Sequence, residues 1–128
     1  MLTMCKPTTG HGAKPYEVPL LNDFDLGYIA GLFDGEGCFH AGASIQYAAI
    51  FNTNKDLLQY VLDVLKVGSI MKSGDNEKRG FKPCWVWKVQ TLAGCLGVAR
   101  MFEPILLVKQ EAARKLISAV ESRVEVIE

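Results

Sequence analysis

The stretch Asp25-Leu26-Gly27-Tyr28-Ile29-Ala30-Gly31-Leu32-Phe33-Asp34-Gly35-Glu36-Gly37-Cys38-Phe39 constrains this chain more than any other. Leu26 to Phe33 carries no charge and no proline, and Asn22, Asp23 and Asp25 precede it, the pattern of a capped helix start with acids in its first turn. Gly35 and Gly37 predict that the helix breaks near residue 34, and Cys38-Phe39 reads as the start of a strand. Two features are unusual for a core helix. Gly27 and Gly31 lie four apart with Ala30 beside Gly31, although each helical glycine costs about 0.5–1 kcal/mol relative to alanine. Such a stripe lets a second backbone come close, as small residues do between membrane helices, and marks Gly27, Ala30 and Gly31 as a dimer interface. Asp34 and Glu36 fall at the helix C-terminus, where the macrodipole disfavours carboxylates by roughly 0.3–1 kcal/mol each. Two such helices side by side would gather four carboxylates, an arrangement that a hard divalent cation stabilises. A buried helix with a Gly-rich turn and two solvated acids is the alternative that these residues leave open.

The rest of the chain narrows the class. Its 128 residues suffice for one domain with one core. No apolar run approaches the roughly 18 residues of a membrane span, and no apolar signal segment follows Met1, so neither a membrane partner nor secretion is expected. Cys5, Cys38, Cys84 and Cys95 show no CxxC spacing and read as reduced, mostly buried thiols, fitting the cytoplasm or an organelle interior. A formal net charge of +0 argues against a generic nucleic-acid binder. The charge is uneven, however: Lys66, Lys72, Lys78, Arg79, Lys82 and Lys88 face only Asp75 and Glu77 in residues 66–88, a basic region beside an acidic one.

Taken in order, residues 1–22 read as a mostly extended N-terminal arm, with the lone His11 more a surface residue than a ligand. Helix 24–34 is followed by strands 38–40 and 44–52, in the second of which Ile45, Tyr47, Ala49 and Phe51 form the expected core face. A helix over 55–66, capped by Asn52 or Asn54, carries Leu57, Leu58, Val61, Leu62 and Leu65 at helical spacing. A short strand at Ile70, a charged loop over 74–83 and a strand over 84–91 come next. Trp85, Trp87 and Val89 share one face of that last strand, a core face rather than a base-stacking platform. Helices over 92–102 and 108–122 close the chain. The order α-β-β-α-β-β-α-α predicts an α+β fold, one antiparallel sheet with helices on one face.

Ile29-Ala30-Gly31-Leu32-Phe33-Asp34-Gly35-Glu36-Gly37 resembles the LAGLIDADG motif of homing endonucleases, with Ile for Leu, Phe for Ile, Gly for Ala and Glu for Asp. Val67-Gly68-Ser69-Ile70 and Pro104-Ile105-Leu106-Leu107-Val108-Lys109-Gln110-Glu111-Ala112 resemble later segments of the family, so the likeness covers roughly residues 24–122. The motif occurs once, as in the single-motif, homodimeric branch. The resemblance implies a LAGLIDADG endonuclease domain over 23–123, preceded by the arm 1–22 and followed by a tail 124–128. It implies a saddle-shaped antiparallel sheet lying in the major groove of double-stranded DNA, and site-specific cleavage by a homodimer using Mg²⁺. Glu36 would be the metal carboxylate. Asp34 is the second candidate ligand, although that position in the family more often supports the helix ends. Lys109 falls where the family places a basic residue beside the active-site water, and Asn52 or Asn54 where it places a water-orienting polar residue. His40, Gln46, Lys88 and Gln90 are candidates for base contacts on the open sheet face, with Lys72 and Arg79 as phosphate contacts. The chain departs from the pattern in its short first hairpin, whose outward residues are expected to be Cys38, Ala48 and Ile50. A non-cleaving DNA-binding regulator or intron-splicing maturase of the same fold is the alternative, and a small α+β dimer without nucleic acid is another.

Overall fold

The computed structural model describes residues 3–8, 14–74 and 76–128, so His11 and Asp75 lie outside the described residues. In chain order the elements are β1 (Met4–Pro7), β2 (Tyr16–Glu17), α1 (Asp23–Glu36), β3 (Gly37–Ala41), β4 (Gln46–Asn52) and α2 (Lys55–Leu65). They continue with β5 (Ser69–Ser73), a 3-10 turn (Asn76–Arg79), β6 (Cys84–Val89), α3 (Leu92–Phe102), α4 (Gln110–Val120) and β7 (Val124–Ile127). The expected α-β-β-α-β-β-α-α order is present as α1-β3-β4-α2-β5-β6-α3-α4, and the fold is α+β. An antiparallel sheet of order β3-β4-β6-β5 carries the helices on one face.

The first helix starts as its sequence dictates: the Asn22 Oδ1 accepts from the Asp25 amide at 2.8 Å. It does not break at residue 34. Gly35 stays helical, and the chain turns extended only at Gly37, whose amide still donates to the Phe33 carbonyl. Gly37 is required there by space rather than by φ. A Cβ at that position would lie 2.8 Å from the Phe33 Cα and 2.9 Å from the Ala49 carbonyl oxygen, because β3 leaves directly beneath the helix. Phe33 anchors the core beneath that turn, its ring 4.6 Å from Phe39, 5.2 Å from Phe102 and 6.0 Å from Trp87, centroid to centroid. Trp87 is fully buried and donates its indole N–H to the Val67 carbonyl, while Trp85 is half-buried.

The facing of β4 is the reverse of the sequence expectation. Gly37 pairs with Ile50 and Phe39 with Ala48, so Ala48 and Ile50 enter the helix-side core with Phe39. Tyr47 and Phe51 are half-buried on the other face, and Ile45 precedes the strand and is 53% exposed. Alternation divides a strand into two sets without saying which set is inward. Here the Gly37 contact beneath α1 makes that choice.

The terminal segments are not merely an arm and a tail. β1 pairs antiparallel with both β2 and β7, giving a second sheet of order β2-β1-β7 that ties Met4 to Ile127 and Pro7 to Val124. Tyr16 docks this sheet on the rest of the chain. It is buried, and its hydroxyl donates to the Leu65 carbonyl at 2.7 Å. Its ring lies against Gly97, where a Cβ would come within 2.5 Å of the Tyr16 Cδ2. All four cysteines are free thiols, Cys5 and Cys95 buried and Cys38 and Cys84 half-buried. Among the described residues no helix is long and apolar enough to cross a membrane.

Candidate functional site

The end of α1, the end of β4 and the entry to α4 meet at one place. Glu36, the last residue of α1, is exposed, and its Oε2 accepts from the Asn52 Nδ2 at 2.6 Å. Asn52 is held in turn, because its Oδ1 accepts from the Asn54 amide at 2.7 Å. Asn54 itself caps α2, its Oδ1 accepting from the Leu57 amide at 3.2 Å. The two asparagines that the sequence left in competition are thus separated by geometry. Lys109, just before α4, donates from Nζ to the Gly37 carbonyl at 2.5 Å, next in the chain to Glu36. Glu36, Asn52 and Lys109 come from positions up to 73 apart in sequence, yet they share the mouth of the α1–β3 turn.

Asp34 is not part of this group. Its Oδ2 accepts from the Leu107 amide at 2.8 Å, and its Oδ1 from the Val108 and Lys109 amides at 2.9 Å each. Loss of solvent raises the Asp34 carboxyl, but those three amides and the Lys109 charge outweigh it, and the group titrates below its ordinary value. Asp34, the second candidate ligand, has its carboxylate engaged with the segment entering α4. Among the described residues no group of three or more His, Cys, Asp and Glu side chains converges. One protomer presents one carboxylate at the site, and Asn52 donates to its Oε2. A single carboxylate and open positions for water and phosphate oxygens make a donor set suited to Mg²⁺, which rarely uses all-protein cages.

The remaining predicted residues fall on two faces. His40 and Lys88 lie on the open face, where both meet a residue that sequence reasoning assigned to the core, Tyr47. The His40 ring stacks on Tyr47 at 4.9 Å, and the Lys88 Nζ lies 4.6 Å from the Tyr47 centroid. Cys38 joins them, and burial pushes its thiol up against the pull of Lys109 and Lys88. Gln90 follows β6 and is exposed. Gln46 alternates with the inward Ala48 and Ile50, and its Nε2 donates to the Gln90 carbonyl, so the expectation that it stands on the open face is corrected. Ala48 and Ile50 likewise leave the expected outward set. Lys72 pairs with Trp85 and shares its helix-side face, and Arg79 is exposed in the 3-10 turn.

Gly27 and Gly31 are exposed, and beyond the neighbouring backbone of their own helix nothing lies within 4 Å of a Cβ built on either; the same holds for Gly35, which the sequence reading did not include. Phe24 and Tyr28, 68% and 45% exposed, rim this stripe. Ala30 does not belong to it: at 5% exposure it packs into the core of its own chain with Ile29 and Phe33. Three residues on from Gly27, it is turned away from the stripe toward the sheet.

The family model of the LAGLIDADG-like domain matches residues 23–121. Among solved structures, the homing endonuclease I-CvuI, in complex with the I-CreI target in 2 mM Mg and with its DNA not cleaved, superposes with a TM-score of 0.64 at 15% identity over 77% of this chain. The archaeal intron-encoded homing endonuclease I-Vdi141I, complexed with DNA, gives 0.62 at 18% over 75%. This chain spans 66% of the length of each. The LAGLIDADG meganuclease I-AabMI, bound to uncleaved DNA, gives 0.54 at 24%, over 68% of this chain and 31% of its own. No curated protein matches by sequence.

Proposed function

The chain belongs to the LAGLIDADG-like domain family, and from that premise we propose that it is a homodimeric endonuclease that cuts double-stranded DNA at a specific site with a divalent metal ion, Mg²⁺. The observation that carries the reading is the convergence of Glu36, Asn52 and Lys109 at the α1–β3 turn. Glu36 is the residue to hold the cation, through the oxygen that Asn52 does not occupy. A cation bound there supplies a Lewis acid for the scissile phosphate and acidifies a water. Asn52, fixed by the Asn54 amide, keeps the Glu36 carboxylate in one orientation. Lys109 carries its positive charge beside the same turn, where a phosphate seated at Glu36 gathers negative charge in the transition state. Asp34 holds the backbone of Lys109 and so fixes where that charge stands.

The open stripe of Gly27, Gly31 and Gly35 supports the dimer, because backbones can approach there without displacing any side chain. Two protomers then present two Glu36 carboxylates, one for each DNA strand. His40, Tyr47, Lys88 and Gln90 on the open sheet face supply polar edges and a cation for base contacts. The test is incubation with a randomised duplex library and Mg²⁺, followed by sequencing of the cut ends, for wild type and Glu36→Gln. We expect wild type to cut a defined site, and Glu36→Gln to bind DNA without cutting. Binding without cleavage by wild type points instead to a non-cleaving regulator or splicing factor, and Glu36→Gln cutting at the wild-type rate removes Glu36 from the metal.

A further inference from the structure

Phe51, Val86 and Met71 stand directly opposite one another across β4, β6 and β5. Residues paired in this way project from the same face of a sheet. The neighbouring row, Ile50, Trp87 and Ile70, faces the helices: Ile50 and Trp87 lie in the core, and Ile70 packs against it. Alternation therefore puts Phe51, Val86 and Met71 on the open face. Val86 is buried, Phe51 is half-buried and Met71 is 46% exposed. Next along the same face come Cys38, Ala49, Lys88 and Ser69, then His40 and Tyr47. None of these residues is acidic, and Lys88 adds a positive charge, so the partner that this face fits by charge is a polyanion. Asn52, which follows Phe51 in the chain, holds Glu36, so the apolar row begins one residue from the candidate site.

An apolar row on a face that meets DNA has a narrow chemistry. In the major groove the edges of adenine, guanine and cytosine are told apart by hydrogen-bonding groups, while thymine adds a C5-methyl. Seating a cytosine amino group or a guanine O6 against hydrocarbon and a thioether strips its water and supplies no replacement bond, which costs affinity. A thymine methyl fills the same place with a gain. Met71 is the side chain suited to that contact, being exposed, unbranched and polarisable, with Val86 and Phe51 continuing the apolar surface. The row spans two strand spacings of about 4.8 Å each, which fits within the width of a major groove, about 12 Å.

We propose that Met71, with Val86 and Phe51, selects thymine through its methyl group in the base pairs close to the phosphodiester seated at Glu36. The inference rests on the reading of the chain as a DNA-binding enzyme whose open sheet face lies in the major groove. It makes Met71 a specificity-determining residue and leaves the polar readout to His40, Tyr47, Lys88 and Gln90.

The experiment starts by selecting, from a randomised duplex library, the sequences that wild type binds with Ca²⁺ in place of Mg²⁺. The enriched site is then remade with each thymine in turn replaced by deoxyuridine, which removes the methyl and keeps the base pair. At one or more positions wild type should bind the deoxyuridine duplex about fourfold more weakly, the worth of one buried methyl group. Met71→Gln, similar in length but polar, should bind the two duplexes equally at those positions, and Met71→Leu should keep the preference. Both variants should melt as wild type does, because Met71 is exposed. A wild type that enriches a defined site yet binds thymine and deoxyuridine duplexes alike overturns the thymine contact and leaves the DNA reading standing. A methyl preference that survives in Met71→Gln also overturns it, assigning the methyl to another side chain. A wild type that enriches no duplex overturns both.

Discussion

Removing the Asp34 carboxylate should destabilise the protein in a way that depends on pH. Three amide donors reach that side chain at 2.8–2.9 Å, from Leu107, Val108 and Lys109. A buried hydrogen bond to a charged group contributes about 1.5–3 kcal/mol. Asp34 is only half-buried, and it acts as a cap supplied from another helix, where loss of the cap costs about 0.5–2 kcal/mol. Solvent screening favours the lower range, so Asp34→Ala should lose about 2 kcal/mol and Asp34→Asn, which keeps one acceptor, about 1 kcal/mol. In a domain of this size each kcal/mol lowers the melting temperature by roughly 3–6 °C. The carboxyl is depressed below its ordinary 3.8 in the folded protein, so its contribution is fully present above that value and is lost as pH falls through the depressed one. Urea melts of wild type and Asp34→Asn at neutral pH and at about pH 2–3 are the assay. The gap should be wide at neutral pH and close in acid, where a protonated Asp34 resembles asparagine. A gap of the same size at both ends would refute the charged cap. The same substitution at neutral pH should also slow cleavage, because it frees the segment that places Lys109.

Lys109→Met keeps the stem and removes the ammonium group, so single-turnover cleavage should fall on the order of 10²–10³-fold, while loss of the bond to the Gly37 carbonyl lowers stability by only about 0.5–1.5 kcal/mol; a lower melting temperature with the rate intact would make Lys109 structural. Gly31→Phe should leave the protomer folded, since beyond the neighbouring backbone of its own helix nothing lies within 4 Å of a Cβ there, while sedimentation shows the dimer lost. An unaltered dimer would move the interface off α1. Gly97→Ala should cost about 1–3 kcal/mol, because its Cβ would meet the Tyr16 ring. Chemical denaturation that finds no loss would refute the docking of the N-terminal sheet through Tyr16.

Much of the sheet and helix order was legible because periodicity and breakers are local. Thr91 caps α3 through the Gly94 amide, and Lys66 leaves α2 in the left-handed region, both within a residue of the expected boundaries. What was not legible depends on long-range partners. β1 and β7 are four residues each and pair across nearly the whole chain, so nothing near Met4 announces Ile127. Ala48 and Ala49 are both fully buried, one on each face of β4, so side-chain polarity gave no sign of which face is inward. Tyr47 looked like core for the same reason, and only its register opposite His40 places it on the open face.

The two acids of the motif have different surroundings although they lie two residues apart. On a helix of 3.6 residues per turn, positions two apart point about 200° from one another. Asp34 and Glu36 therefore cannot serve one point in space within a protomer. The turn at Gly37 does not alter this, because α1 remains helical through Glu36. One acid faces Leu107 to Lys109 and the other faces Asn52. The placement also resolves the cost of carboxylates at a helix C-terminus. Asp34 is stabilised by amides at the N-terminal approach to α4, a region of positive potential that offsets the negative end of α1. Glu36, exposed to solvent, accepts from the Asn52 side-chain amide and lies at no such helix terminus. Within a single helix end, one acid is held by backbone amides of a distant segment and the other stands at the surface with a side-chain donor.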